Sequence, residues 1–385
     1  MSPLARSSPP AQPAAGLPRW LGALAFSAAF AAAVWRMPEV TAPSFPPPPP
    51  PATSSQLPVL FAGEMLPVTG LVTQAPSLVM LPDGRLGAAW TAGSADDASD
   101  LVIHFSILER DGWRPPQAVA TREGTAGGLL AHIRRIGQPV LYSEGSWLHL
   151  WYIASGPAGN RMLVHSRSTD GGRQWSTPVR LSTSPLAGFG TNLGSPPVAL
   201  ADGGLGLPLA HDLIAGHGEW LRLDARGRVI DKARLTHPAR TPQAAVIALD
   251  EQRALALASD GGPAPGQVRA TLTVNGGLLW TAGDDPGPPS PNLPLAMLRM
   301  ADGRLLLAGN PAAGREKLML WISADEGQSW QDSRVIEAAT DTNASFTAPS
   351  LVLGRDGRIH LAYLRRSEGI RHVTFSSAWV DGGRP

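Results

Sequence analysis

The chain has 385 residues, with 32 Lys and Arg against 31 Asp and Glu, and its formal net charge of +1 gives no basic footprint for a nucleic acid partner. It holds 42 Gly, 38 Pro, 12 Trp and no Cys, which excludes disulfides and thiol chemistry and implies a fold full of turns. Beyond residue 60 no sustained helical periodicity is present, and the remaining roughly 320 residues are ample for one closed core.

Residues 1–19 carry Arg6 and Arg19 and read as a cytoplasmic N-terminal segment. Residues 20–36 contain the apolar run "WLGALAFSAAFAAAVW" and end at Arg36. At about 1.5 Å per residue this run reaches roughly 24 Å, short of the roughly 30 Å core of a bilayer. Two readings stand: a secretory signal cleaved near Ala29 to Ala33, or a short uncleaved anchor with its flanking tryptophans at the interfaces. Both predict export, either with the folded part in the periplasm and tied to a bacterial inner membrane, or secreted once the signal is removed. No cysteine follows the run, so a lipoprotein is excluded. Residues 37–58, with the run "PSFPPPPPPATSS", form a Pro-rich linker whose stiffness suits a tethered domain.

From there the chain repeats. An apolar run enters a tight turn and leaves as another apolar run in "APSLVMLPDGRLGAAW", "QPVLYSEGSWLHLWYIA", "SPPVALADGGLGLPLA", "AAVIALDEQRALALA", "LAMLRMADGRLLLAG" and "APSLVLGRDGRIHLAYL". Each is a β-hairpin signal. The acidic turn residues are Asp83, Glu144, Asp202, Asp250, Asp302 and Asp356, roughly fifty to sixty residues apart, which marks six units.

A second pattern keeps phase with the first. "STDGGRQW" at 168–175 supplies Ser168, Asp170, Gly172 and Trp175. "SADEGQSW" at 323–330 supplies Ser323, Asp325, Gly327 and Trp330, and "TVNGGLLW" at 273–280 supplies Thr273, Asn275, Gly277 and Trp280. Units one and three hold weaker forms around Asp111 and Asp224. Each box closes a second hairpin, so a unit is a four-stranded blade, and six blades arranged radially make an all-β, six-bladed propeller over residues 59–380. The box itself reads as a structural turn. Short polar side chains bond the loop backbone, glycine permits positive φ and tryptophan packs back into the sheet.

The pattern S-x-D-x-G-x-x-W resembles the Asp box, or bacterial neuraminidase repeat, of the sialidase superfamily. The likeness extends through "APSLVMLPDGRLGAAW", "PPVALADGG", "ADGRLLLA" and "DGRIHLAYLRRSEGIRHV", roughly residues 70 to 380. It implies a sialidase-like propeller with boxes on the rim away from the active site. It also implies an arginine triad for the substrate carboxylate, a tyrosine nucleophile assisted by glutamate, and an aspartate acid/base. Guanidinium forks match a carboxylate, and a neutral phenol approaches an anionic sugar without repulsion.

Three of these groups are missing where the resemblance puts them. Gln74 in "QAPSL" stands in the place of the first arginine, Ala348 in "APSL" in that of the tyrosine, and Ser345 in that of the glutamate. What remains is a cluster of Asp96, Asp97 and Asp100 after the first hairpin, of which Asp96 and Asp97 are the acid/base candidates. The substrate-binding candidates are Arg134, Arg135, Gln138, His211, Asp212, Gln243, Asn292, Arg315 and Arg371, the last beside His372 in "IRHV".

Two functions compete. One is an exported sialidase-type glycosidase with an altered nucleophile, acting on an acidic or related sugar. The other is a propeller that binds a glycan or a protein partner without hydrolysis; a scaffold is third. Convergence of Asp96 or Asp97, His211, Arg315 and Arg371 on one axial pocket separates a ligand site from a scaffold. No cofactor or metal is expected, because the nine histidines lack ligand spacing. Phosphate loops, a dinucleotide fingerprint and a nucleophile elbow are absent. The partners expected are a glycan and, through the N-terminal segment, a membrane, with the propeller monomeric.

Overall fold

The computed structural model describes residues 19–35, 42–51, 57–183, 190–212, 216–235, 243–259, 266–284, 287–288, 290, 293–312, 314–339, 344–366 and 368–384. Residues 43–385 form one compact unit, and the helix Arg19–Trp35 lies outside it. That helix has 17 residues, and no helix among the described residues is long and apolar enough to cross a membrane.

Six separate antiparallel sheets make six blades. Their innermost strands are Val72–Met80, Arg135–Glu144, the split pair Thr191–Leu193 and Val198–Ala199, Ala244–Ala248, Ala296–Arg299 and Phe346–Leu353. The last blade takes its outermost strand, Phe61–Met65, from the N-terminal side, pairing Phe61 with Phe375 and Met65 with Arg371. This ties the two ends of the propeller chain into one blade and closes the ring. Two serines bind the inner strands together: Ser77 Oγ accepts from Leu141 N at 2.9 Å and Ser350 Oγ from Leu78 N at 3.0 Å.

Apolar clusters lie between neighbouring blades, as alternation in half-buried strands requires. Leu141, Leu150 and Tyr152 of blade 2 meet Ala89, Ile103 and Phe105 of blade 1. Leu320 and Leu306 of blade 5 meet Leu361 and Phe375 of blade 6. In blade 3 the packing is close enough to demand glycine, since a Cβ on Gly206 would sit 1.8 Å from Trp220 Cζ2.

The turns carry the repeat. Asp83 Oδ1 accepts from Arg85 N at 3.0 Å while Oδ2 accepts from Arg85 Nε at 2.8 Å, and Asp302 holds Arg304 in the same way. Two short helices were not expected: Arg122–Leu129, capped by Thr121 Oγ1 on Gly124 N at 3.0 Å, and Ser377–Val380. Both are too short to show a period in sequence.

The segment expected as a spacer also contributes to this unit. Phe45 is fully buried with Leu200, Trp220, Leu235 and Trp280 between blades 3 and 4. Phe45 N donates to Glu251 O and Ala201 N to Ser44 O, each at 2.8 Å. An aromatic side chain among prolines is driven to such a socket, and a purely solvated linker would leave it in water.

Candidate functional site at the axial mouth

Register defines the two ends of each blade. In blade 2, Arg135, Ser155 and Arg161 lie side by side at one end, while Glu144 pairs with Trp147, and Leu148 with Ser168, at the other. Inner strands therefore start at a mouth, and the hairpin turns and Asp boxes share the opposite end.

At the mouth three inner strands kink in the same way. Ala75, Gln138 and Ala348 have φ of 49°, 55° and 53°, each just before a proline, and the ladder shifts register across each. Non-glycine residues in this region cost about 1 kcal/mol or more, and such strain gathers at functional sites. The kinks bring Gln74, Gln138, Gln243, Ser195 and Ala348 around an axial recess of about 210 Å³. No ionisable side chain is among its described lining residues.

Outside the recess, between blades 6 and 1, is a cavity of about 810 Å³. Gln74, Asp96, Arg315, Ser345, Thr347 and Arg366 line it. Gln74 Nε2 donates to Asp96 Oδ1 at 2.6 Å and to its carbonyl at 3.1 Å. A neighbouring cavity of about 140 Å³ shares Gln74 and Asp96 and adds Asp97, Arg135, Gln138, Arg161 and Asn192. Asp97 and Arg135 form an ion pair. Gln138 is held at both ends of its amide, with Nε2 donating to Asn192 Oδ1 at 3.2 Å and Oε1 accepting from Leu193 N at 2.9 Å. Arg161 Nη1 bridges Asn192 Oδ1 at 2.8 Å and Asp212 Oδ2 at 2.7 Å. Burial raises the Asp212 carboxyl, but the bonds from Arg161 and Asn192 outweigh it and hold it below its ordinary value.

Of the four groups whose convergence was at issue, Asp96 and Arg315 share a cavity. Two others do not join them. His211 lies by His217, with ring centroids 5.0 Å apart, and lines none of these cavities. Arg371 turns to the seam between blades 5 and 6, where its Nη1 is 3.2 Å from Glu337 Oε2. Arg365 meets the same carboxylate at 3.1 Å, and Tyr363, fully buried, donates its hydroxyl to it. Burial pushes the Tyr363 phenol up, and this tyrosine and glutamate tie two blades together. Arg134 is exposed in a cavity with Asp97 and Arg161, and Gln243 packs on Gly194, where a Cβ would fall 2.8 Å from its Cδ. Asn292 lies outside the described residues. Sequence reasoning missed Arg161, Asn192 and Arg366. Arg161 was findable, because it opens a strand that leads to an Asp box, much as Arg315 stands two residues before another such strand.

At the far end the hydroxyl, carboxylate or amide, and glycine of each box bond one another, whereas the indole nitrogens of Trp280 and Trp330 have no partner among the described residues. Asp170 Oδ1 accepts from Ser168 Oγ at 2.7 Å, Arg173 N at 2.9 Å and Gln174 N at 3.0 Å. Ser168 Oγ accepts from Gly172 N at 2.9 Å, and Trp175 Nε1 donates to Gly172 O at 3.0 Å. Ser323, Asp325 and Gly327 repeat this, as do Thr273, Asn275 and Gly277. The Ser329 hydroxyl is the largest influence holding Asp325 down at about 2. Trp280 is buried and Trp330 packs on the core between blades 4 and 5. Among the described residues no group of three or more His, Asp or Glu is placed to hold a metal.

The sequence model of the BNR repeat-like domain matches residues 84–361, most of the propeller. The chain belongs to this BNR repeat family. A sialidase of Micromonospora viridifaciens is 25% identical over 355 residues, covering 80% of this chain and 52% of its own length. The chain thus spans about half of that curated relative. A Hadza microbial sialidase superposes with TM-score 0.67 at 17% identity, over 80% of this chain and 66% of its own. The intramolecular trans-sialidase of Ruminococcus gnavus, solved with oseltamivir carboxylate, gives TM-score 0.61 at 14% identity, over 82% and 96%. This BNR-repeat chain is accordingly a sialidase-like six-bladed propeller.

Proposed function

We propose that the protein is an exported, glycan-directed propeller that binds a sugar at the axial mouth and does not turn over ordinary sialosides. One observation carries the second half: Ala348, with a methyl side chain, stands on the kinked inner strand of blade 6 at the axial recess, and no tyrosine is among the described residues that line the recess or the cavities around it. A methyl group has no atom to attack an anomeric carbon. Support for a sugar ligand comes from the sialidase relative and from a propeller neighbour, the Trypanosoma rangeli sialidase, solved with sialic acid. Asp96 is the carboxylate placed to accept from a sugar hydroxyl, and Gln74, Gln138 and Asn192 supply neutral dipoles. Export rests on the 17-residue helix Arg19–Trp35, read as signal or anchor.

A glycan array and a fluorogenic sialoside panel, run on the same preparation, test this reading. The expected result is binding without hydrolysis. Turnover above background, abolished by Asp96→Ala, would overturn the non-hydrolytic half, and an array without a single bound glycan would overturn the other. For export, residues 1–60 fused to a reporter active only outside the cytoplasm should give activity.

A further inference from the structure

The Asp boxes of blades 2, 4 and 5 build one turn three times with different side chains. In each, the residue before the tryptophan donates its main-chain N–H to the box carboxylate or amide: Gln174 to Asp170 Oδ1 at 3.0 Å, Leu279 to Asn275 Oδ1 at 3.0 Å and Ser329 to Asp325 Oδ1 at 2.9 Å. The second, sixth and seventh positions are exposed in all three. In blade 2 they are Thr169, Arg173 and Gln174, and in blade 5 Ala324, Gln328 and Ser329. In blade 4 they are Val274, Leu278 and Leu279, accessible to 71%, 39% and 62%, and no residue of that box is charged. The turn has no need of these aliphatic groups, since it closes in blades 2 and 5 without them. Three apolar side chains gathered on one exposed turn mark a contact surface.

The path of the chain names what this surface meets. Pro43 is buried where the proline segment reaches the propeller, and it crosses this same box, since a Cβ on Gly276 would fall 1.8 Å from Pro43 O. Residues 36–42 separate Pro43 from the apolar helix Arg19–Trp35, and even fully extended they reach no more than about 30 Å. A helix seated in a bilayer therefore keeps the loop within that distance of lipid. An uncharged surface binds lipid by burying apolar side chains in the interfacial region. We infer that the blade 4 box loop, through Val274, Leu278 and Leu279, rests in the surface of the bilayer that holds the N-terminal helix, so that the box end of the propeller faces the membrane and the mouth faces away. The inference rests on the anchor form of the export reading.

The chain has no cysteine, so a single introduced one can carry an environment-sensitive fluorophore. Val274→Cys is labelled in the full chain, with Thr169→Cys at the same box position in blade 2 and Val68→Cys at the mouth as references. Each protein is reconstituted into phosphatidylcholine vesicles that carry a nitroxide near the headgroup end of an acyl chain. All three sites are exposed, so the melting temperature should stay within a degree or two. The label at 274 should shift to the blue and be quenched at least fivefold more than those at 169 and 68, with no dependence on salt. Adding Leu278→Gln and Leu279→Gln to Val274→Cys should cut that quenching threefold or more. With the chain bound to vesicles, equal quenching at 274 and 169, or quenching that survives both leucine changes, would overturn the loop contact and leave the anchor standing. A blue shift at 274 without quenching by the lipid nitroxide would assign the loop to a protein surface and overturn the contact as well. A full chain that fails to float with vesicles would overturn the anchor reading and the contact with it.

Discussion

Gln74 Nε2 donates to Asp96 Oδ1 at 2.6 Å, an amide tied to the carboxylate that the sequence marks as acid/base candidate. Where the family resemblance implies a charged fork, the chain has a neutral dipole already in use. Ala348 supplies no nucleophile, and Ser345 supplies no carboxylate beside it. The wild-type protein is therefore expected to leave a fluorogenic sialoside at background. The double change Gln74→Arg with Ala348→Tyr should not create activity, because a new phenol there would have no neighbouring base at 345. Release of fluorophore by the wild type, lost in Asp96→Ala, is the outcome that contradicts this.

Asp170 offers a separate test at the opposite end of the blades. Its carboxylate accepts two backbone amides and a hydroxyl, so Asp170→Ala leaves donors of the turn unpaired and should lower stability by about 1 to 3 kcal/mol. Glycan affinity should be unchanged. A lost affinity at an unchanged melting temperature would show that the box touches ligand.

The blades were legible because hairpin turns and boxes advance in phase, and both signals are local: Asp83 and Asp170 each bond to residues within four positions of themselves. The site was only partly legible, because it is assembled from strand starts far apart in the chain. Position in the repeat predicted that Asp96 and Arg315 would face the mouth, and they do. It failed for Arg371, whose direction is decided by Glu337 on the neighbouring blade, a contact across 34 residues that no local pattern encodes. Phe45 escaped for a related reason. Its socket is made of residues from 200 onwards, and proline-rich surroundings gave no hint of burial.

Phe45 turns the proline segment into part of the propeller. Removing its ring leaves a void lined by Trp220, Leu235 and Trp280, and aromatic-to-alanine changes of this kind cost about 3 to 5 kcal/mol. Phe45→Ala is expected to lower the urea midpoint accordingly, and a chain starting at residue 59 should lose at least as much. An unchanged midpoint in both would mean that the segment rests on the surface without contributing to stability.

Two stacked histidine pairs set the acid limit of the fold. His149 Nδ1 is 3.0 Å from His165 Nε2, with Trp151 stacked on both rings, and His360 Nδ1 is 3.1 Å from His372 Nε2. Burial pushes His149 and His360 down to about 4 and His165 and His372 down to about 3. The charged neighbours differ: Glu144 lies 3.9 Å from His149 and Arg167 opposes its protonation, while Glu64 lies 3.3 Å from His372 and Asp356 and Arg358 act on His360. All four rings are neutral in the native state at pH 7, whereas in the unfolded chain they protonate near 6.5. The unfolded state then binds more protons below that value, so stability is complete above about pH 6.5 and falls as the pH drops toward 4. The loss by pH 5 should be on the order of 2 kcal/mol per histidine, about 4 kcal/mol per pair. Melting temperatures measured from pH 8 to pH 4 should show this slope, and His149→Leu or His360→Leu should flatten it even where it lowers the melting temperature at pH 8. A wild-type curve that is level between pH 6.5 and 4.5 would show that the rings accept protons without leaving the native packing.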